Sequence, residues 1–512
     1  MSKPVGDAKG ADKGFEKGME KGFDKELGKD LKDLGAARKA ALARYEADSK
    51  RHLDDLIRLT KIPGVSFDGF DPKEVERSAE CTMGILEAAG LEHVEIMRIP
   101  GTHPYIYGDW LKRPGAPTVL LYAHHDVQPP MREELWKTPA FEPTEKDGRI
   151  FARGIADDKA GVIIHAASVA AWLETSGGLP VNVKVIIEGE EEIGSTHLSE
   201  FLAKYRDRLG ADVVVLTDCS NFDTGLPSLT TTLRGLISMD VTVTGLDHPL
   251  HSGMWGGPVP DPVQALAKIL AKLTDENGRA AVPGIWDDVK PPSAAELEDY
   301  RKLGMTEAEF RKQAGIEPGV KLFAKDEGLL VKMWREPSIS VNSIQAGGKK
   351  IAGNVIMDAA WARVGLRLVP DMDHAEAMKL MVEFIQANCP WGLKVEVVPE
   401  QGANPWMTKP DHPVFAVAKK SLGTGYGRDA VLIGCGGTIP FVDSFTRVLG
   451  DIPALLVGIE DPYTNAHSEN ESLGLADFHS SVKSQIHFFA DLAEASSADP
   501  QFWTAKKKAP SP

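Results

Sequence analysis

Imidazoles and carboxylates stand in the polar stretches that follow several short apolar runs of this chain. His124 and Asp126 follow the run Val119 to Tyr122. Two residues apart at the end of an extended segment, they leave on the same side. That arrangement suits a metal-ligating histidine whose second ring N–H is taken by a carboxylate, although the same spacing also occurs in plain surface turns. Asp157 and Asp158 directly precede a helix-like run, Val162 to Leu173. Capping and the helix dipole would account for them equally well. Four acids, Glu188, Glu190, Glu191 and Glu192, then crowd behind the alternating Val181, Val183 and Val185. Like charges at that density repel one another unless a cation, a proton or an open solvated loop relieves them. Asp218 follows Val213 to Leu216, and His467 lies in EDPYTNAHSENESLG, beyond the run Ala454 to Ile459.

These side chains can act together only if the elements that carry them end at one place. The short apolar blocks lack helical spacing and are bounded by Pro, Gly or polar residues, which predicts buried strands of a parallel sheet. In open α/β sheets ligands bind beyond the carboxyl ends of such strands. His124, Asp157, Glu192, Asp218 and His467 then form a set of oxygen and nitrogen donors without a thiolate, suited to two Zn²⁺ ions sharing one carboxylate.

At 512 residues the chain is too long for one ordinary domain, and its 42% hydrophobic content can build sizeable cores, so two domains plus tails are expected. The formal charge of −16 argues against nucleic acid or an anionic membrane surface as partner. No run reaches the ~20 apolar residues of a membrane span and no signal-peptide core is present, which with four scattered cysteines predicts a cytoplasmic protein. Residues 1–35 read as a low-complexity arm. Its stripe of Phe15, Met19, Phe23, Leu27 and Leu31 has helical spacing, but Gly14, Gly18 and Gly22 cost a helix ~1 kcal/mol each. A first catalytic segment is expected at 36–235, beginning with a helix over 36–59. After Arg234 the order of elements becomes β-α-β-β-α-β, the ferredoxin-like plan, over 236–402, with a polar insertion at about 284–336. The alternation of helix and strand resumes at 403–495, and 496–512 reads as a tail. The smaller domain is thus inserted into the larger, mixed and mostly parallel α/β domain.

HHDVQPP, GIADDKAG, EGEEEIGS, LTDCSN and NAHSENESLG resemble, in order and spacing, the ligand motifs of the co-catalytic zinc family of aminoacylases, carboxypeptidase G, desuccinylases and carnosinase-like cytosolic dipeptidases. The likeness runs from about residue 40 to 495. It implies that His124, Asp157 and Asp218 hold one metal and that Asp157, Glu192 and His467 hold the other, most readily Zn²⁺, with Mn²⁺ or Co²⁺ as alternatives. It implies a cis peptide between Asp157 and Asp158, Glu191 as general base for attack of an activated water on the amide, and Asp126 beside His124. HPLHSGMWGG resembles a segment that makes His251 an oxyanion donor reaching the other subunit of a dimer formed through the inserted domain. LRLVP resembles the segment that makes Arg367 a binder of the substrate carboxylate, and GGTIP a substrate loop with Gly437 and Thr438. Where relatives commonly have Arg-x before that loop, this chain has Gly434 and Cys435. His125, His197 and His248 match no ligand position.

In that family Asp at position 218 tends to mark dipeptidases and aminopeptidases, and the long insertion resembles the carnosinase-like branch. The resemblance therefore implies a dipeptidase acting on small peptides. The alternatives are an N-acyl-amino-acid amidohydrolase and a non-catalytic binding protein on the same scaffold.

Overall fold

The computed structural model describes residues 33–348, 353–400, 402–439 and 441–503, so nearly all of the expected arm, with its Phe15 to Leu31 stripe, lies outside the described residues. A mixed sheet carries the larger domain. Its main path runs through strands Glu92–Met97, Tyr105–Trp110, Asn182–Glu188, Thr118–His124, Val213–Ser220, Ala454–Glu460, Ser228–Leu233 and Trp406–Met407, and Val431–Cys435 pairs with Ser228–Leu233. The four central strands are parallel, and antiparallel pairs flank them on both sides.

Alternation along the central strands divides their side chains between two cores. Val119, Leu121, Val183, Val185, Val213 and Val215 face one core. Leu120, Tyr122, Ile186, Val214 and Leu216 face the other. His124, Glu188 and Asp218 continue the second set by parity, which brings them to one face of the sheet at its carboxyl edge. His124 and Glu188 are paired in register across the parallel ladder.

The first core is closed by helices Leu34–Thr60, Lys159–Ser176 and Leu475–Ala498, which pack on one another. The helix Lys159–Ser176 is apolar around nearly its whole circumference and is buried from Lys159 to Trp172, as a helix sandwiched between a sheet and two neighbours must be. Lys159, buried at its start, donates Nζ to the carbonyls of Leu59 and Ile62 at 3.2 and 2.8 Å. Those carbonyls end the first helix and its following turn, so the ammonium satisfies acceptors that the helix cannot. The folded body extends past the expected boundary at 495, since the last helix reaches Ala498 and Phe502 is buried in the first core.

The inserted domain has the expected order. Strands Ser338–Gln345, Ala359–Leu368, Gly235–Thr244 and Lys394–Pro399 lie side by side in that spatial order, all antiparallel. Helices Pro262–Lys272 and His374–Ala387 cover one face, where Ile237, Met239, Val241 and Val243 alternate inward. Asp261 and Asp373 cap these helices through hydrogen bonds to Val263 N, and to Ala375 N and Glu376 N. The insertion forms three short helices, Ala294–Lys302, Glu307–Gln313 and Glu327–Trp334. Their Tyr300, Leu330 and Trp334 pack against Ile433 of the larger domain.

Candidate active site

Asp157 stands at the centre of the clustered residues, in the loop that leads into helix Lys159–Ser176. Its Oδ1 is 2.9 Å from His124 Nε2 and its Oδ2 is 3.0 Å from His467 Nε2. One carboxylate thus touches two imidazoles, one on each oxygen. Asp218 Oδ1 lies 4.0 Å from His124 Nε2, and Glu192 Oε2 lies 3.2 Å from His467 Nε2. Two triads result: His124, Asp157 and Asp218, and Asp157, Glu192 and His467. In each, one donor atom per residue lies within 4.8 Å of the others. His124 and Asp157 are buried, whereas His467 reaches in from an exposed loop at a positive φ of 60°.

The charge balance of this cluster is poor without cations. Burial pushes the carboxyl of Asp218 well above its ordinary range, and the charges of Glu191 and Asp157 push it further. Burial raises Glu191 well above its range too, with His124 opposing and Glu192 and Asp157 adding to the rise. Glu192 is raised by burial and then by Asp157. The imidazoles show the converse. Burial works against protonated His467, yet hydrogen bonds to Asp157 and Glu192 push its pKa up to about 11. Raised carboxyls beside a raised imidazole mark a site short of positive charge, and the oxygen and nitrogen donor set, with one shared carboxylate, suits two divalent ions.

The surrounding residues hold this arrangement from several elements. Asp126 accepts Ser66 Oγ at 2.7 Å and the backbone N–H groups of Glu191 and Glu192 at 3.2 and 3.1 Å. Its carboxylate also faces His124 Nδ1, but at 3.5 Å, while its own backbone carbonyl is closer at 3.0 Å. Asp126 therefore orients the Glu191–Glu192 turn as well as the imidazole. Gln128 donates through both its backbone N–H and its amide to Glu192, at 2.9 and 2.8 Å.

The capping explanation of the acid pair does not hold. The peptide between Asp157 and Asp158 is cis. Asp158 occupies the N-cap position without a capping hydrogen bond and instead accepts Thr217 Oγ1 at 3.2 Å. Burial, with Asp157 adding, pushes its pKa up to about 8. Gly161 makes the close approach possible, since a Cβ there would lie 2.1 Å from Thr217 Oγ1.

The four-acid cluster divides in two. Glu188 accepts the phenols of Tyr105 and Tyr122 at 3.2 and 2.7 Å, and Glu190 accepts Tyr105 at 2.9 Å. Burial pushes Glu188 up to about 8, so a proton and two phenols relieve its charge. Only Glu191 and Glu192 belong to the cluster around Asp157. His197 sits beside Glu190, and buried His125 is bonded to the Pro104 carbonyl through Nε2 at 3.0 Å.

Arg367 and Thr438, expected from separate segments to hold substrate, are in contact, with Arg367 Nη1 donating to Thr438 Oγ1 at 2.8 Å. Gly437 N donates to Cys435 Sγ at 3.3 Å, so Cys435 braces the loop it precedes. His251 is exposed on the short antiparallel ladder of Leu250–His251 with Val355–Ile356. Its ring accepts the N–H of Gly253, and none of its described contacts reaches the cluster.

The family model for Peptidase family M20/M25/M40 matches residues 120–491. The chain belongs to this peptidase family. Among its M20 relatives are the cysteinylglycine-S-conjugate dipeptidase of Corynebacterium striatum, 34% identical over 70% of this chain and 77% of that one, and the human Beta-Ala-His dipeptidase, 31% identical over 76% and 78%. The crystal structure of human carnosine dipeptidase 1 superposes with a TM-score of 0.79 at 27% identity, covering 90% of this chain and 99% of that one. A di-peptidase from Saccharomyces cerevisiae gives the same TM-score and identity, with 89% and 98% covered.

Sequence reasoning missed the residue that fixes Asp157 in this M20 chain. Glu471, buried, accepts the backbone N–H groups of Gly154, Ala156 and Asp157 at 2.9, 3.1 and 3.2 Å, and pairs with buried Arg153 at 2.8 Å. Its signal was its place in NAHSENESLG, four residues after His467. Glu460, also missed, accepts Ser220 Oγ at 2.8 Å and is pushed up to about 8 by burial and then by Asp157. Replacing Glu471 leaves a guanidinium buried without its partner. Glu471→Ala is therefore expected to destabilise the protein by about 3–5 kcal/mol, measured by denaturant unfolding. A cost below about 1 kcal/mol would show that the loop is held by other means.

Proposed function

We propose that this chain is a two-metal dipeptidase that hydrolyses the amide bond of dipeptides and other short peptides. The observation that carries the reading is Asp157, one carboxylate shared between two histidines of two separate donor triads. His124, Asp157 and Asp218 hold one divalent ion, and Asp157, Glu192 and His467 hold the other. Zn²⁺ is the ion favoured by these donors, with Mn²⁺ or Co²⁺ able to replace it. Bound there, the ions supply Lewis acidity that polarises the scissile carbonyl and acidifies a water.

Glu191 is the general base. Its carboxylate makes no described hydrogen bond, and the raised pKa suits a group that takes a proton from water and returns it to the leaving amine. Asp126 keeps Glu191 in place through its backbone N–H. Arg367 and Thr438, with the backbone at Gly437, bind the substrate carboxylate. No helix among the described residues is long and apolar enough to cross a membrane, and the four cysteines are free, which supports a place in the cytoplasm.

A panel of dipeptides set against N-acetyl and N-succinyl amino acids, with Zn²⁺, Mn²⁺ and Co²⁺ in turn, tests this function. Dipeptide hydrolysis is expected, and acyl-amino-acid hydrolysis alone would establish the amidohydrolase alternative. In the same assay Glu191→Ala should lose turnover by roughly 10²–10⁴-fold while keeping both metals. Glu192→Ala should lose metal as well. Equal metal loss in the two variants would contradict the division of roles.

The dimer belongs to this proposal. Strand Ser338–Gln345 is an edge of the inserted sheet, with Val341 and Ile344 exposed on it, a surface that a second copy can cover around a twofold axis. His251, remote from its own cluster in every described contact, then supplies an N–H to the oxyanion in the partner subunit's site. Mixed dimers of His251→Ala and Glu191→Ala subunits contain one site with both residues intact, so they should recover up to about half of wild-type activity. No recovery in a verified mixed dimer would place His251 in its own subunit's site or remove it from catalysis.

A further inference from the structure

Arg234 lies where the chain passes from strand Ser228–Leu233 of the larger domain into strand Gly235–Thr244 of the inserted one. Its backbone N–H donates to Gly437 O at 3.0 Å and its Nε to Gly436 O at 2.9 Å. Its Nη1 donates to Ser338 Oγ at 2.9 Å. Ser338 is the register partner of Arg367 on the neighbouring strand, and Arg367 donates to Thr438. Two guanidinium groups therefore converge on the loop Gly436 to Thr438, one from each domain. Gly436 leaves room for the first, since a Cβ there would stand 3.2 Å from Arg234 Nη2.

Neither group has a carboxylate among the described residues. Other half-buried and buried arginines do: Arg149 pairs with Asp461, Arg153 with Glu471, Arg335 with Glu296 and Arg363 with Asp240. Nη2 of Arg234 and both Nε and Nη2 of Arg367 have no described acceptor, yet they are not among the buried polar atoms sealed from solvent. These donors therefore keep some contact with solvent and have no partner among the described residues. Burial, followed by the charge of Arg367, lowers the Arg234 guanidinium to about 10, so it remains charged at neutral pH, and an arginine side chain is not deprotonated in proteins. Two like charges held together with free, fork-shaped donors are complementary to an anion with two oxygens in a plane.

We infer that Arg234 is a further substrate-binding residue, and that Arg234 and Arg367 together seat the free carboxylate of the peptide on the Gly436–Thr438 loop. This rests on the dipeptidase reading and adds its specificity determinant. The seat selects peptides that end in a free carboxylate within reach of the metal cluster and rejects those whose carboxylate is blocked.

The test compares an L-dipeptide with its C-terminal amide on the metal-loaded enzyme. Wild type should prefer the free acid. Arg234→Gln should raise KM for the acid roughly 10- to 100-fold with much less effect on kcat, and the preference for acid over amide should shrink by the same factor. A residue that only braces the loop would lower both substrates alike and leave the preference intact, which would overturn the inference. Should Arg234→Gln fail to fold, as read from its circular dichroism, Arg234→Lys decides. Keeping the charge but losing the fork should still reduce the preference at least about threefold, and a wild-type preference in that variant would also overturn the inference. If wild type cleaves neither compound and no dipeptide of the panel, the dipeptidase reading fails and this inference falls with it.

Discussion

Buried negative charge around Asp157 is the constraint on which the rest of this structure depends. Asp157, Asp218, Glu191 and Glu192 meet at the carboxyl edge of one sheet, with His124 and His467 against them among the described residues. Carboxylates taken from water at this density need cations or protons, and much of the surrounding scaffold reads as the means of holding them there. Glu471 and Arg153 fix the backbone on which Asp157 sits. Asp126 holds the turn that presents Glu191 and Glu192, and Gln128 fixes the carboxylate of Glu192. The buried, mostly apolar helix Lys159–Ser176 anchors the loop from behind, with Gly161 allowing it to sit against Thr217.

Positive charge gathers instead at the loop Gly436 to Thr438. Arg234 and Arg367 approach Gly436 to Thr438 with free donors and no described acid. A short peptide brings an amide carbonyl for the acidic, cation-binding pole and a carboxylate for the guanidinium pole. Under the proposed function the partner of each pole comes from solution. Arg234 reaches both domains, through Gly436 on one side and Ser338 on the other. In the proposed function the inserted domain is therefore part of the substrate seat as well as a surface for a second copy.

Much of this was legible before the structure. Short, nearly continuous apolar runs ending in His or acid marked the central strands, because a parallel strand buried on both faces leaves little else in its sequence. The β-α-β-β-α-β order of the inserted domain was legible for a different reason, since a strand covered on one face alternates as Ile237 to Val243 do. What stayed hidden depended on partners distant in sequence. The four acids of EGEEE looked like one cluster, and only the fold brings Tyr105 and Tyr122 from two other strands to take Glu188 away from it. Asp157 and Asp158 looked like helix caps until the cis peptide turned the second toward Thr217. Glu471 was marked only by its place in the His467 motif and Arg234 by nothing local, since one acts through backbone N–H groups over 300 positions away and the other through a loop about 200 positions away.

The central claim is that the carboxylates converge to share two cations through Asp157. Calorimetric titration of the chelator-stripped protein with Zn²⁺, checked by metal analysis after dialysis, measures this directly. Two equivalents per chain are expected for wild type, and Asp157→Ala should lose tight binding at both positions. One equivalent or none in wild type, or two retained by Asp157→Ala, would contradict the account.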